Sequence, residues 1–171
     1  MKITAQEEYG VRCLLQLARA GAGRSLSITE IAAAEGLSAP YVAKLLAVLR
    51  QEGFIESARG RSGGYWLALP PEEIKLGKLF EALGEPLFDE VEHCQRYAGT
   101  ETDTCVHLSS CTLRSLWQTL EEWMRHTLNQ LTLADLLQSG HRVTTLLRQR
   151  LAQAVQEPAQ ELLSLKVLAR S

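Results

Sequence analysis

The chain has 171 residues, 46% of them hydrophobic, with 18 basic and 20 acidic side chains, enough to bury the core of one domain or somewhat more. An acid pair, Glu7 and Glu8, stands where a secretory leader needs a basic start and an apolar run, and no apolar stretch approaches the ~18 residues of a membrane span. The expectation is a soluble, cytoplasmic protein without membrane contact, in which clustered cysteines serve as metal ligands or redox groups rather than disulfides. The small net charge conceals an uneven layout. Residues 1–70 carry 8 basic and 6 acidic side chains, residues 71–138 carry 5 and 12, and residues 139–171 carry 5 and 2. The acidic middle repels a phosphate backbone, so nucleic-acid contact falls to the first segment.

Residues 4–20 are predicted to form a helix, with Val11, Leu14, Leu15, Leu17 and Ala18 as its apolar stripe and Gly21 at its end. Glu8, Arg12 and Arg19 follow its polar face. Cys13 adjoins the apolar positions and reads as a buried structural thiol. Ser27 and Glu30 make a capping box that opens a short second helix, which Gly36 closes. Ser38 offers the next N-cap, with Pro40 in the first turn of a third helix over roughly 39–52. Two short helices joined by a glycine turn form a helix-turn-helix over about 28–51, although any small helical hairpin has the same pattern.

Two strand candidates follow, Phe54–Ser57 and Tyr65–Leu69, joined by ARGRSGG. Its glycines permit a tight tip from which Arg59 and Arg61 project. A basic hairpin after a helix-turn-helix is the order of a winged helix, in which the third helix enters the major groove and the hairpin reaches phosphates or the minor groove. The alternative is a plain solvated turn. Ser38, Pro40, Tyr41 and Lys44, at the start of the third helix, are the candidate DNA contacts there, with Tyr41 equally readable as core. Arg59 and then Arg61 are the candidate wing contacts.

After Pro70-Pro71, the run IKLGKLFEALGEP reads as an amphipathic helix with Leu76, Leu79, Phe80 and Leu83 inward. Residues 94–111, CQRYAGTETDTCVHLSSC, hold three of the four cysteines in a stretch without apolar periodicity, a loop by composition. Beyond it, Leu113, Leu116, Trp117, Leu120, Met124, Leu128 and Leu131 recur in steps of three and four, widened by Trp123, predicting a long amphipathic helix. Such a helix is suited to pack against a copy of itself, or else within its own chain. A break at Thr132 precedes TLADLLQ, and a basic, weakly amphipathic tail begins near Gly140. The expected fold class is mainly α with a small β-wing. Residues 1–70 form a winged helix-turn-helix DNA-binding domain, residues 71–138 a linker helix, cysteine sensor loop and dimerisation helix, and residues 139–171 a C-terminal tail.

The opening MKIT-x4-Y-x5-L, the run LSAPYVAKLLAVLRQEGFIES, the wing RGRSGGYWLA, the sequence C-x5-C-T-L-R-S-L-W and the later LTLADLL resemble the bacterial winged-helix regulators of the IscR and NsrR type. The resemblance covers about residues 1–138. It implies a dimeric repressor or activator that senses iron–sulfur status, nitric oxide or redox change and binds palindromic double-stranded DNA as a homodimer. It also implies an iron–sulfur cluster, of the two-iron (2Fe-2S) kind, on Cys94, Cys105 and Cys111. Cys105 and Cys111 keep the family's five-residue interval. The interval from Cys94 to Cys105 is ten residues, longer than in the best-known members, and lengthening an irregular loop costs little closure entropy.

Three thiolates leave one position for another donor. The histidine that some members place three residues after the last cysteine is Arg114 here, with His93 and His107 nearby. Other members use an acid on the partner subunit's first helix, a position that Glu8 matches. Glu8 can equally form an i,i+4 ion pair with Arg12. Position 43, a base-reading acid in some members, is Ala43. A cluster-free thiol switch on the same cysteines, or a structural zinc, is the competing chemistry. No nucleophile–base pair, phosphate-cradling glycine loop or paired-carboxylate motif is present, so no enzyme is expected.

Overall fold

The computed structural model describes residues 3–58, 60, 63–86, 88, 94–96, 107, 111–138, 140–149 and 152. Thr4 caps the first helix, α1 (Ala5–Ala20), in a reciprocal box with Glu7, which satisfies amide groups that the first turn leaves without partners. Ser27 and Glu30 repeat the device at α2 (Ile28–Glu35), and the Ser27 amide and hydroxyl hold the Glu30 carboxyl below its ordinary pKa. Gly36 ends α2 in the left-handed region, at φ 67°, which a side chain would strain. The chain turns through 111° into α3 (Ala39–Gln51), the crossing expected of a helix-turn-helix. Ser38 occupies the N-cap of α3 but makes no side-chain capping hydrogen bond, which departs from the expected cap.

Strands β1 (Ile55–Ala58) and β2 (Gly64–Leu67) pair antiparallel, with Ile55 opposite Leu67 and Ala58 opposite Gly64. The turn between them begins at Gly60, φ 116°, whose carbonyl accepts the Gly63 N–H at 3.0 Å. Leu26 joins β2 from the far side through a pair of backbone hydrogen bonds with Tyr65, making the wing's base three-stranded there. Gly64 permits this approach, because a Cβ there would meet the Leu26 carbonyl at 2.9 Å.

The remaining elements are α4 (Leu76–Leu83), a long α5 (Thr112–Asn129) and a one-turn α6 (Leu133–Leu136), with a further helical stretch over 140–149. The break at Thr132 is a capping box with Asp135. One buried cluster runs through Leu14, Leu17, Ile31, Val42, Leu45, Leu46, Leu49 and Ile55 and continues into Ile74, Leu76, Leu79, Leu83, Leu131 and Leu133. Each fully buried leucine or isoleucine contributes about 1.5–3 kcal/mol of transfer free energy. Gly10 is where α1 meets α4, since a Cβ at that position would lie 2.6 Å from a Leu83 methyl.

Backbone hydrogen bonds from Leu76 N–H to the Leu131 carbonyl and from Leu133 N–H to the Ile74 carbonyl, each 2.9 Å, tie the far end of α5 to the start of α4. The long helix is therefore anchored at one end in the same core as the helix-turn-helix. In the tail, Leu147 packs against that core. Among the described residues no single helix is long and apolar enough to cross a membrane.

Candidate nucleic-acid interface and sensor site

The recognition helix presents its first turn outward. Ser38, Pro40 and Lys44 are exposed, and Tyr41 is half-buried. The inward positions are Val42, Leu45, Leu46 and Leu49, so Val42 takes the core place that the sequence pattern assigns in part to Tyr41. The Tyr41 ring instead meets Tyr9 of α1 edge-on, with centroids 6.0 Å apart and planes at 86°, a geometry that aromatic quadrupoles favour. At the other end of α3, Arg50 reaches Ser57 of β1 at 3.4 Å. Arg59 and Arg61 lie outside the described residues, and so does Cys105.

Glu8 is exposed on the first turns of α1. Its expected ion-pair partner, Arg12, is engaged elsewhere. Arg12 Nε donates to Glu35 Oε2 at 2.5 Å, and Nη2 reaches the Glu35 backbone carbonyl at 3.4 Å. Gln16 donates to the second Glu35 oxygen, also at 2.5 Å. The guanidinium lies over the Tyr9 ring, 5.2 Å from its centroid, within cation–π range. The hydrogen bond to Glu35 raises the Arg12 pKa above its ordinary value against partial desolvation, with smaller contributions from the charges of Glu35 and Glu8. Sequence reading named Arg12 but missed Glu35 and Tyr9 as its partners. Glu35 lies 23 residues away, beyond any local periodicity.

Of the cysteines, Cys13 is fully buried, and burial, reinforced by the charge of Glu35, pushes its thiol up to about 11. It is a core side chain, as its place in the stripe implies. Cys94 is a half-buried free thiol on a short helical turn at 94–96. Cys111 is a half-buried free thiol at the N-cap of α5, where its Sγ accepts the Arg114 N–H at 3.4 Å. Sulfur at a helix N-cap, accepting an amide hydrogen and facing the positive end of the helix dipole, is in a suitable setting for a ligating thiolate. The donor chemistry thus fits a cluster or a soft metal at Cys111. Among the described residues no three histidine, cysteine or acidic side chains converge on a metal-sized site.

The helix that Cys111 caps carries Leu113, Leu116, Leu120 and Trp123 in one exposed stripe, at 59%, 48%, 37% and 50% of their full accessibility. Trp117, Met124 and Leu128 turn partly inward, and Leu128 packs on the core. These four side chains form one exposed apolar face among the described residues.

A helix-turn-helix crossed at 111°, a two-stranded wing and a third helix with an open first turn define a winged-helix protein of the DNA-reading class. The chain belongs to the Rrf2 family of iron-dependent transcriptional regulators, whose profile it matches over residues 3–139. It is 37% identical over 140 residues to protein rrf2 of Nitratidesulfovibrio vulgaris, covering 82% of this chain and 89% of that one. It is 36% identical over 151 residues to the regulator NsrR of Geobacillus kaustophilus, covering 88% and 99%. The solved structure of T. potens IscR matches with a TM-score of 0.61 at 31% identity, covering 80% of this chain and 86% of that one. The chain is therefore a DNA-binding transcriptional regulator of this family and not an enzyme.

Proposed function

We propose that this regulator works as a homodimer on a palindromic operator and that an iron–sulfur cluster, of the 2Fe-2S kind, sets its DNA affinity. The observation that carries the reading is Cys111 at the N-cap of α5, directly before the exposed stripe of Leu113, Leu116, Leu120 and Trp123. The candidate sensor thiol and the candidate dimer face are thus parts of one helix. Cys94, Cys105 and Cys111 would hold the cluster, with Glu8 of the partner subunit as the remaining donor. Such a centre supplies a site that oxidants or nitric oxide modify, and a carboxylate ligand leaves it more labile than a fourth thiolate does.

The chain's own residues then provide the coupling. Glu8 sits on α1, which packs against α3, so a link from one chain's loop to the other's α1 constrains the distance between the two recognition helices. Ser38, Pro40, Tyr41 and Lys44 meet the major groove, the last three from within the first turns of α3 and Ser38 from its N-cap. Arg59 and Arg61 reach the flanking phosphates or minor groove. Arg59→Ala is expected to weaken operator binding by roughly tenfold or more in a gel-shift titration at fixed salt, and unchanged binding would remove the wing from the interface.

Anaerobic purification with absorbance, iron and sulfide analysis tests the cluster. Brown protein with stoichiometric iron and sulfide is the expected result. Colourless protein whose three loop thiols oxidise reversibly with a change in DNA affinity would replace the cluster with a thiol switch. Colourless protein containing zinc would make the site structural.

A further inference from the structure

We propose that Ala43 and Ala47 of α3 are specificity-determining residues whose side chains select thymine 5-methyl groups in the major groove, and that Lys44 between them selects a guanine. The inference rests on the proposed entry of α3 into the groove and deepens it to the bases that are read.

The exposure of α3 decides which side chains can reach a base edge. Pro40, Lys44, Ala47 and Gln51 recur at steps of four, three and four, and all four are exposed. Ala43 flanks this row. It is half-buried, yet it belongs neither to the buried cluster nor to the side chains packed against it, whereas Ala39, Tyr41 and Val48 do pack there. Val42, Leu45, Leu46 and Leu49 fill the core side, which fixes the outward face of the helix.

That face is poor in groups that read bases. Helix α3 contains no carboxylate to accept from a cytosine amino group, and its one side-chain amide, Gln51, is at its last position. Arg50, its other cation, is directed to Ser57 of β1 at 3.4 Å. The Ser38 and Tyr41 hydroxyls donate and accept alike, so they discriminate little. What remains is Ala43, Ala47 and one ammonium. An alanine methyl suits the thymine methyl, and an ammonium suits the O6 and N7 acceptors of guanine. Among the described residues Lys44 has no ion-pair partner that would hold it back. Side chains as small as alanine also let α3 approach until methyl groups touch, at about 4 Å. Positions 43 and 47 are about 6 Å apart along the helix axis, under two base-pair steps, so the three contacts fall within about three base pairs.

The test uses the full-length chain, purified anaerobically, and an operator selected with that chain from random duplexes, read by fluorescence anisotropy. Each thymine is replaced in turn by deoxyuridine, which lacks only the methyl group, and each guanine by 7-deazaguanine, which lacks the N7 acceptor. Deoxyuridine is expected to weaken binding about threefold at one or two thymines of each half-site, and 7-deazaguanine about fivefold at one guanine close by. Ala43→Gly and Ala47→Gly should each abolish the deoxyuridine loss at one thymine, and Lys44→Ala should abolish the 7-deazaguanine loss, as contacts between the paired groups require. The modified bases leave the protein untouched, so a folding defect cannot imitate their effects.

Deoxyuridine that is neutral at every thymine would overturn the selection of thymine. A Lys44→Ala chain that binds all duplexes more weakly, with a salt slope reduced by about one and the 7-deazaguanine loss intact, would make Lys44 a phosphate contact and overturn its part. Ala47→Trp separates these failures from failure of the underlying reading. A tryptophan at this exposed position leaves the core untouched but holds α3 out of the groove. Unchanged specific binding would remove α3 from the groove and sink both readings. Lost binding together with neutral base analogues would sink the base selection alone.

Discussion

Leu116→Glu combined with Trp123→Glu is expected to convert the protein to a monomer and to reduce operator affinity at least a hundredfold. Both side chains are about half exposed on the isolated chain, so their replacement leaves the chain's own core untouched. In a dimer built on this stripe they would be covered, and each new carboxylate would be buried without a cation. Several kcal/mol of desolvation follow, and a shift of about 4 kcal/mol weakens self-association about a thousandfold. Loss of DNA affinity comes from a different source. A dimer binds its second half-site as an intramolecular event, and tethering of that kind is worth about 10²–10⁴ in apparent affinity. Light scattering with size exclusion reads the first effect and an operator titration the second. A variant that stays dimeric and binds DNA normally would mean that Leu113, Leu116, Leu120 and Trp123 face something other than a second copy.

That stripe also shows where periodicity stops being informative. Spacings of three and four from Leu113 to Leu131 predict the helix, and α5 runs from Thr112 to Asn129. They do not separate the part that docks on the chain's own core, through Leu128 and Leu131, from the part left outside. Both are leucine-rich, and only the anchor at Leu76 and Leu131 decides which end is covered. The winged helix was easier to read because its signals are local. Capping residues lie three positions from their partners at Thr4–Glu7 and Ser27–Glu30, Gly36 marks its own left-handed turn, and the wing's glycines bracket the hairpin.

Contacts between elements have no such signature. The ion pair of Arg12 with Glu35 spans 23 residues, and the local alternative at Glu8 has the standard helical spacing, so sequence spacing alone points to the pair that the structure does not form. Tyr41 was equally ambiguous between core and surface. It is half-buried because one edge of its ring is committed to Tyr9 while the helix turn that carries it opens to solvent. Cys111 was legible as one of three clustered thiols, whereas its place as the N-cap of α5 depends on where that helix starts.

The cross-subunit position of Glu8 can be decided by mixing two damaged chains. Cys111→Ser alone is expected to lower bound iron at least about tenfold, since it removes a thiolate that an amide already orients. Glu8→Ala alone is expected to lower it less, a carboxylate being the weaker partner for this metal chemistry. In a heterodimer of a Glu8→Ala chain with a Cys111→Ser chain, the two arrangements give opposite results. If Glu8 serves the loop of its own chain, every site lacks one donor, and iron per dimer is the mean of the two single variants. If Glu8 serves the loop of the other chain, the Glu8→Ala chain's intact cysteines meet an intact Glu8. The second site then lacks both donors. Iron should return to about half of the unmodified dimer's content, on sites of ordinary stability. Differently tagged chains purified together under anaerobic conditions supply the heterodimer, and iron per dimer with the visible spectrum supplies the reading. Recovery to half in the heterodimer, above the mean of the two single variants, requires Glu8 to donate across the dimer, because no arrangement within one chain assembles a complete set of donors from these two variants.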